Sequence, residues 1–172
     1  RWRNQTLLFS ATLEGEAIRE FAERILKEPV EVEADPSRRE RKKILQWYYR
    51  ADDVQHKTAL LIHLLKQPDV QKSVIFVRKR ERVHELATWL REAGINTCYL
   101  EGEMVQAKRN EAVKRMMDGR VNVLVATDVA ARGLDILDIT HVFNFDMPRT
   151  ADTYLHRIGR TGRAGRKGTA IS

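Results

Sequence analysis

The feature that most constrains the fold of this chain is an alternation of short apolar segments with amphipathic segments from residue 44 onward. Residues 74–77 and 121–126 are apolar at nearly every position, which is typical of strands buried on both faces. Residues 80–93, between them, carry apolar side chains at every third or fourth position, as on one face of a helix. Buried strands joined by amphipathic helices predict a parallel sheet covered on both sides. At this length we predict an open, doubly wound α/β sheet.

The predicted elements follow one another with few interruptions. A short strand and a helix that ends before Pro29 open the chain, and a brief strand follows. Gly94 stands where a glycine commonly ends a helix. The predicted strands are 6–10, 30–32, 44–50, 74–77, 97–100, 121–126, 141–145 and 168–172, and the predicted helices are 18–27, 52–66, 80–93, 105–117 and 150–158.

A change of composition separates two parts of the chain. Residues 34–43 contain one proline, one serine and five basic residues against two acidic ones, and only Ala34 is apolar. Such a segment has almost nothing to bury, which predicts an interdomain linker. A long surface loop within one domain is the alternative.

Composition limits the class of protein. The 172 residues suffice for one ordinary domain with a core, and 42% hydrophobic with 32% charged residues indicate a folded chain. The net charge of +7 suggests a polyanionic partner, although many basic domains bind none. The lone Cys98 forms no internal disulfide, which is consistent with a reducing cytosol, and we predict a cytoplasmic protein.

Features of the two ends and of the hydropathy complete this picture. No apolar run approaches the ~20 residues that span a bilayer, and no signal-peptide pattern opens the chain, so we predict no membrane association. The first residue is Arg1, and strand-like segments lie at both ends. We therefore expect the sequence to be part of a longer protein.

Small residues, hydroxyls and arginines follow the predicted strands. In a doubly wound sheet, ligands bind at the carboxyl ends of the strands, and we expect the segments from residue 44 onward to share that edge. Glycines admit close backbone approach, and guanidinium groups match phosphate oxygens in pairs, so the composition favours phosphate binding. The segments are 10–12, 78–80, 101–103 with Gln106 and Arg109, 127–128 with 131–135, and 159–163.

Each segment also has an ordinary structural interpretation, and only their convergence on basic and hydroxyl groups favours a functional one. The alternative for 159–168 is a loop, and that for Thr127 with Asp128 is a helix cap. Gln106 and Arg109 are surface residues in this interpretation, and Arg132 with Asp135 form an ion pair. His156 is then a satisfied polar residue.

Two absences from the sequence are equally informative. The chain contains no Gly-Lys-Ser/Thr phosphate loop, and no Asp-Glu pair follows an apolar strand to hold a magnesium ion. It therefore has arginines suited to phosphate but no nucleotide cradle. Arginines that complete a site built elsewhere are arginine fingers.

Four motifs carry a family resemblance. They are Ser10-Ala11-Thr12, Gln106-x-x-Arg109, the run Ala-Thr-Asp-Val-Ala-Ala-Arg-Gly-Leu-Asp at 126–135, and the run His-Arg-Ile-Gly-Arg-Thr-Gly-Arg at 156–163. In this order they resemble the DEAD-box RNA helicases, and the two long runs separate that family from other helicases of the same fold. The resemblance covers essentially the whole chain and is greatest to bacterial members that serve ribosome assembly.

The resemblance implies two RecA-like domains joined by a linker. Residues 1–33 would be the end of the first domain, 34–43 the linker, and 44–172 the second RecA-like domain. The phosphate loop and the magnesium-binding motif belong to the first domain in this family. ATP and Mg²⁺ are therefore expected to be held mainly by a domain that this chain lacks.

The resemblance also implies roles for individual residues. Arg160 and Arg163 would reach the γ-phosphate as catalytic fingers, and Asp135 would take a ribose hydroxyl of ATP beside Gly133. The expected contacts between the two domains are Ser10, Thr12, His156 and Arg157. The expected RNA-binding residues are Gly102, Arg109, Thr127 and Arg78 on the sugar-phosphate backbone, with Gln106 and Arg132 positioning them.

The chain departs from the family pattern at two places. Arg78-Lys79-Arg80 stands where an Asn-Thr pair is frequent, which bears on the RNA contact at that strand end. Glu101 stands where a histidine is common before the glycine, a change that we expect to matter little.

These observations predict an ATP-driven clamp on RNA. RNA and the N-terminal RecA-like domain would be its partners, and the 172-residue chain alone is expected to be inactive as an enzyme. The alternative is a protein-docking module that binds a regulator. A DNA translocase of the same fold is a third possibility, against which the runs 126–135 and 156–163 argue.

Overall fold

The computed structural model describes residues 16–26, 43–136, 138–163 and 166–172. The chain divides into two compact units, residues 1–35 and residues 36–172. In the first unit the structure describes one helix, α1 (Glu16–Ile25), close to the predicted 18–27. The predicted strands at 6–10 and 30–32, nearly all of the predicted linker, and Ser10 and Thr12 lie outside the described residues.

The second unit is built on six parallel strands, which confirms the predicted sheet. Their order across the sheet is β1-β6-β5-β2-β4-β3, and every neighbouring pair is parallel. The strands are β1 (Ile44–Trp47), β2 (Ser73–Phe76), β3 (Thr97–Leu100), β4 (Val123–Ala126), β5 (His141–Asn144) and β6 (Gly168–Ile171).

Five helices connect these strands, and side-chain caps begin three of them. The side chains of Asp53, Thr127 and Thr150 each accept a bond from a backbone N–H in the first turn. Gly94, with a φ of 81°, follows the end of the third helix as predicted. The helices are α2 (Val54–Leu65), α3 (Arg80–Glu92), α4 (Gln106–Met117), α5 (Asp128–Ala131) and α6 (Ala151–Ile158).

Two apolar layers cover the sheet because alternate residues of a strand face opposite sides. On one face, Phe76 and Leu124 pack with Met116 of α4 and with buried residues of 134–139. On the other face, α2 and α3 pack against the sheet, with Leu86 and Ile75 fully buried. A smaller cluster joins α6 to β1 and β6 through Ile44, Ile158 and Ala170.

The edge strand β1 is shorter than the predicted 44–50. Only Ile44 is buried in it, and the next three residues are exposed. At the edge of the sheet β1 pairs only with β6, from Ile44 opposite Gly168 to Trp47 opposite Ile171, and this pairing sets its length. Among the described residues, no helix is long and apolar enough to cross a membrane.

Candidate nucleotide and nucleic-acid sites

Two clefts lie on either side of residues 132–135. The α4 groove, of about 650 Å³, is lined by Gln106 and Arg109 from α4 and by Gly133 and Asp135. The α6 cleft, of about 390 Å³, is lined by Arg132 on one side and by His156 and Arg160 of the α6 region on the other. Most of the predicted site residues therefore border one short segment.

The two predicted finger arginines lie beside this segment. Arg160 Nη1 donates to the Leu134 carbonyl at 2.7 Å, and burial, followed by the charge of Arg163, lowers the pKa of the Arg160 guanidinium. Arg163 Nη1 lies 3.3 Å from the Asp135 carboxylate, and its Nε donates to the Gly159 carbonyl. The ion pair of Asp135 is thus with Arg163, and the alternative of a pair with Arg132 is wrong.

The loop that carries these arginines is not at the carboxyl end of the sheet, so the expectation of one shared edge is wrong. The buried Thr161 hydroxyl lies within hydrogen-bond distance of the carbonyls of Ile139 and Thr140, which precede β5. A loop from a helix into a parallel strand must enter the sheet at the strand's amino end. Gly162, with a φ of 68°, passes so close to Ile44 that a Cβ there would lie 2.7 Å from its side chain.

Arg157 has a different role from the predicted interdomain contact. Its side chain is 1% exposed, and it donates two bonds, of 2.6 and 2.7 Å, to the Asp128 carboxylate. It also donates to the Asn144 side chain and the Asp146 carbonyl, and it lies 5.0 Å from the Phe76 ring centre. All of these groups lie at the ends of β2, β4 and β5, so Arg157 holds α6 onto its own domain.

His156 was also predicted to contact the other domain, and its side chain is accessible to solvent. Its side chain is about half exposed, and its Nε2 lies 3.3 Å from Asp152 in the preceding turn of α6. Both His156 and Arg157 line the α6 cleft, but only the histidine has an exposed side chain.

Three predicted RNA contacts follow strands that are adjacent in the sheet. Phe76, Ala126 and Leu100 are level with one another in the register of β2, β4 and β3. Arg78, Thr127 and Gly102, which follow these strands by one or two residues, therefore lie along one edge. Arg78 and Gly102 are exposed residues, as an RNA-binding edge requires.

Thr127 is a helix cap, which confirms the structural alternative, and its hydroxyl can still bind a ligand. Its Oγ1 accepts a bond from the Ala130 N–H at 3.3 Å. A hydroxyl that accepts one bond can still donate its proton to another acceptor. The cap and a phosphate contact are compatible at this residue.

Gln106 and Arg109 lie on α4 as predicted. Gln106 donates to the Asn110 side chain at 2.7 Å, and Arg109 Nη2 donates to the Arg132 carbonyl at 3.1 Å. The second bond ties α4 to the segment that continues to Gly133 and Asp135. Arg109 is thus more than an unattached surface residue.

A charged cluster at the end of β3 was missed by the sequence reasoning. Arg80 Nε donates to Glu101 at 2.8 Å, its Nη1 donates to Glu103, and His84 Nε2 lies 2.9 Å from Glu101. The hydrogen bond with His84, and then that from Arg80, hold the pKa of Glu101 below its usual range, while burial opposes the shift. The only sequence signal was the pair of departures from the family pattern at 78–80 and Glu101.

The donors assembled here suit anions. They are guanidinium groups, hydroxyls and exposed backbone, which bind phosphate oxygens well. Within the part of the chain that the structure describes, no group of three or more His, Cys, Asp or Glu side chains is arranged to hold a metal ion. The arrangement can complete a nucleotide site and grip a polyanion.

A parallel sheet with arginines beside a carboxylate and hydroxyls along its carboxyl edge defines a RecA-like helicase domain. The chain belongs to the family described as helicase conserved C-terminal domain, which matches residues 56–165. Within that family it is a C-terminal domain of the DEAD-box type, which confirms the predicted resemblance.

Individual relatives support this assignment. The chain is 80% identical over 172 residues to the ATP-dependent RNA helicase SrmB of Escherichia coli strain K12, covering 100% of this chain and 39% of the relative. A structure of E. coli DEAD-box protein SrmB bound to regulator of ribonuclease activity A is 81% identical, with a TM-score of 0.74 over 75% of this chain and 76% of that chain. Saccharomyces cerevisiae Dbp5 bound to RNA and ADP BeF3 is 34% identical, with a TM-score of 0.82 over 95% of this chain and 43% of that one.

The chain therefore spans about 39% of the length of the curated relative that it matches.

Proposed function

We propose that this chain is the ATP- and RNA-facing second domain of an ATP-dependent RNA helicase. The proposal rests on one observation. Arg160 and Arg163 lie beside residues 132–135, which include Asp135, in a chain whose sequence has no phosphate loop. These residues can complete a nucleotide site but cannot hold a nucleotide's phosphates alone. The names and ligands of the relatives agree with this interpretation.

The proposed mechanism is the closure of two domains around ATP and RNA. The first domain would hold ATP with Mg²⁺, and closure would bring Arg160 and Arg163 to the γ-phosphate. Arg163 pairs with Asp135 and Arg160 donates to the Leu134 carbonyl, so both guanidinium groups are held beside residues 132–135. Arginine fingers typically contribute about 10³ to 10⁵ in rate.

Breaking the Arg163–Asp135 ion pair would make both side chains available to bind ATP. The guanidinium would turn to phosphate, and the exposed carboxylate would be free to accept a ribose hydroxyl. His156 is the residue of this motif that we assign to the contact with the first domain, because Arg157 is buried in its own domain.

The proposed RNA grip acts on the sugar-phosphate backbone. Arg78, Gly102 and Thr127 lie along the carboxyl edge, while Gln106 and Arg109 line the α4 groove and Arg132 lines the α6 cleft. Arg109 holds residues 132–135 through its bond to the Arg132 carbonyl. Contacts of this kind tolerate any sequence and weaken steeply with salt. Closure on a bent single strand would separate a short duplex, and hydrolysis would release it.

The decisive experiment is Arg160→Ala in the full-length protein. We expect RNA-stimulated ATP hydrolysis to fall by about 10³-fold or more while RNA binding stays nearly unchanged. Arg91→Ala is the matched control, since Arg91 is an exposed arginine that donates to the Thr97 carbonyl and lines neither cleft. Normal turnover by Arg160→Ala would remove this residue from the finger role.

The two-domain account has its own test. The purified 172-residue chain should hydrolyse no ATP with or without RNA, because the phosphate cradle is missing from its sequence. Measurable turnover by that chain would show that it holds the nucleotide by itself.

One observation favours a second function, the docking of a protein regulator. A domain 81% identical to this chain has been solved with regulator of ribonuclease activity A bound. We propose that this chain binds the same kind of regulator. Competition between RNA and that regulator for the full-length protein would show shared residues, whereas simultaneous binding would show separate surfaces.

The cellular setting completes the proposal. A role in ribosome assembly follows from the family resemblance, and the cytoplasmic location stays a prediction. Crosslinking of RNA to the protein in growing cells should recover precursor ribosomal RNA. Recovery of messenger RNA alone would contradict the assembly role.

A further inference from the structure

Arg80 is a cation at the proposed RNA edge to which neither the resemblance nor the proposed mechanism assigns a role. It begins α3 two residues after Arg78, at the carboxyl end of β2. Its Nε donates to Glu101 at 2.8 Å and its Nη1 donates to Glu103, so two carboxylates from the end of β3 hold it.

The two carboxylates differ strongly in exposure. The Glu101 side chain is 12% exposed and also lies 2.9 Å from His84 Nε2, whose ring packs on Tyr99 at 4.5 Å between centres. The Glu103 side chain is 79% exposed and is bonded to Arg80. Exposed ion pairs contribute little and are readily exchanged, whereas a carboxylate with two partners in a sheltered place stays fixed.

The position of the pair relative to the RNA edge is well defined. Glu101 and Glu103 flank Gly102, and β4, which leads to Thr127, lies between β2 and β3 in the sheet. The side chain of Arg80 is 47% exposed. Its terminal nitrogen is therefore accessible along the same edge as the three predicted backbone contacts.

The Glu103 carboxylate on Arg80 is the arrangement that a phosphate oxygen would adopt on the same guanidinium, since both are anionic oxygens that accept its N–H groups. We propose that Arg80 is a further ligand of the RNA phosphate backbone, that Glu101 is its positioning residue, and that Glu103 competes with RNA for it. Resting on the proposed function, this inference adds a contact whose strength is set within the chain.

The proposal explains the two departures from the family pattern together. The basic run 78–80 supplies the cation, and Glu101, in place of a histidine, supplies the negative charge that orients it. Glu101 then matters more than the sequence alone predicts.

The test measures binding of a single-stranded RNA oligonucleotide to the full-length protein with a non-hydrolysable ATP analogue, over a series of salt concentrations. Glu103→Gln should tighten binding about twofold to fivefold, the range that loss of one exposed ion pair permits. The slope of log affinity against log salt should steepen by about 0.7, which corresponds to one further phosphate on a single strand.

Glu85→Gln is the matched control. Glu85 pairs with Arg82 on α3 at 3.0 Å and is also exposed, so this variant has the same change of charge and the same kind of lost pair. Arg80→Ala combined with Glu103→Gln should remove the whole gain in affinity.

The positioning role of Glu101 has a separate readout. Glu101→Gln should raise the RNA concentration for half-maximal ATP hydrolysis about twofold or more and leave kcat unchanged, because it disturbs one RNA contact only. In an Arg80→Ala background the same substitution should have no effect. An effect that persists without Arg80, or that falls on kcat, would overturn this role.

The outcomes separate the inference from the proposed function. If the unmodified full-length protein shows no salt-sensitive RNA binding, the proposed function fails. If it does bind RNA in that way but Glu103→Gln equals Glu85→Gln, the proposed function stands and the role of Arg80 is refuted.

Discussion

Two arginine–carboxylate networks lie at the carboxyl end of this sheet, and they differ mainly in burial. Arg157 is 1% exposed and is bonded to Asp128 beneath α6. Arg80 is 47% exposed and is bonded to Glu101 and Glu103 at the end of β3. From the sequence, Arg157 was predicted to contact the other domain and Arg80 was given no role.

The difference in burial separates a structural role from a binding role. A buried guanidinium without its partner leaves an uncompensated charge, so the Arg157 network has to stay intact. An exposed pair exchanges one anion for another with little change in free energy, so the Arg80 network is open to a ligand. Access to solvent therefore decides which arginines of this edge can take phosphate.

The largest expected effect is on the buried network. Arg157→Ala should lower the free energy of unfolding by about 2–4 kcal/mol, because it leaves two sheltered acceptors, the Asn144 side chain and the Asp146 carbonyl, without their donor. Urea denaturation of the purified domain measures the loss. Arg80→Ala is the matched substitution and should leave the thermal midpoint within about 2 °C. Equal losses in the two variants would refute the distinction.

The next prediction concerns a buried side chain that carries no charge, Thr161. Thr161→Val removes a buried hydroxyl that bonds the carbonyls before β5, and should lower the free energy of unfolding by about 1–3 kcal/mol. Because that hydroxyl holds the loop of Arg160 and Arg163, turnover of the full-length protein should fall as well. Thr88→Val, at an exposed position of α3, is the control and should have no measurable effect. A stable Thr161→Val domain would contradict the tie at this loop.

A smaller effect concerns a buried histidine at the amino end of the sheet. Burial lowers the pKa of the His141 imidazole, and the nearby Asp69 carboxylate only partly opposes this shift. The unfolded chain therefore binds a proton more readily than the folded one, so stability should be constant above about pH 6.5 and fall as the pH decreases below it. Urea denaturation between pH 5 and pH 8, chosen as about the range in which histidine titrates, measures the dependence.

Two variants separate this histidine from other titrating groups. His141→Gln should flatten the acid side of the curve, whereas Thr88→Val, at an exposed position without a titratable group, should leave it unchanged. An unaltered slope in His141→Gln would place the acid sensitivity elsewhere.

The smallest effect on stability is expected for the exposed network. Glu103→Gln should leave the thermal midpoint within about 2 °C, because it removes one bond from a solvent-exposed pair. The same variant should bind RNA more tightly, so stability and affinity would change independently. A clear loss of stability would mean that Glu103 holds the fold and does not compete with RNA.

Much of the second unit was predictable from local pattern. The strand Thr97–Leu100 was predicted to the residue, and α3 and α4 to within one residue, because their apolar positions repeat at the period of the element. The helix Asp128–Ala131 was not predicted as an element, since four residues are too few to show a helical period. The strand at 44–50 was predicted too long because its position at the sheet edge does not show in its own residues.

The candidate sites were predictable in residue type more than in arrangement. Arginines and hydroxyls after strands indicated phosphate, whereas the ion pair of Arg163 with Asp135 appears only in the structure. The two sides of residues 132–135 were not separable from sequence, nor was the amino-end position of the loop at Arg160. Both depend on how the chain returns across the face of the sheet.

The sequence by itself determined the class of fold, the family and the types of ligand group, because these are expressed by neighbours in the chain. Only the tertiary structure decided which arginine is buried and which is exposed. Arg157 and Arg160 lie three positions apart, yet the first is 1% exposed and bonded to Asp128, 29 residues away, whereas the second is only partly buried. Arg80 and Glu101 are 21 residues apart. Such pairings depend on strand order and helix packing, because a residue is buried by distant parts of the chain that fold around it.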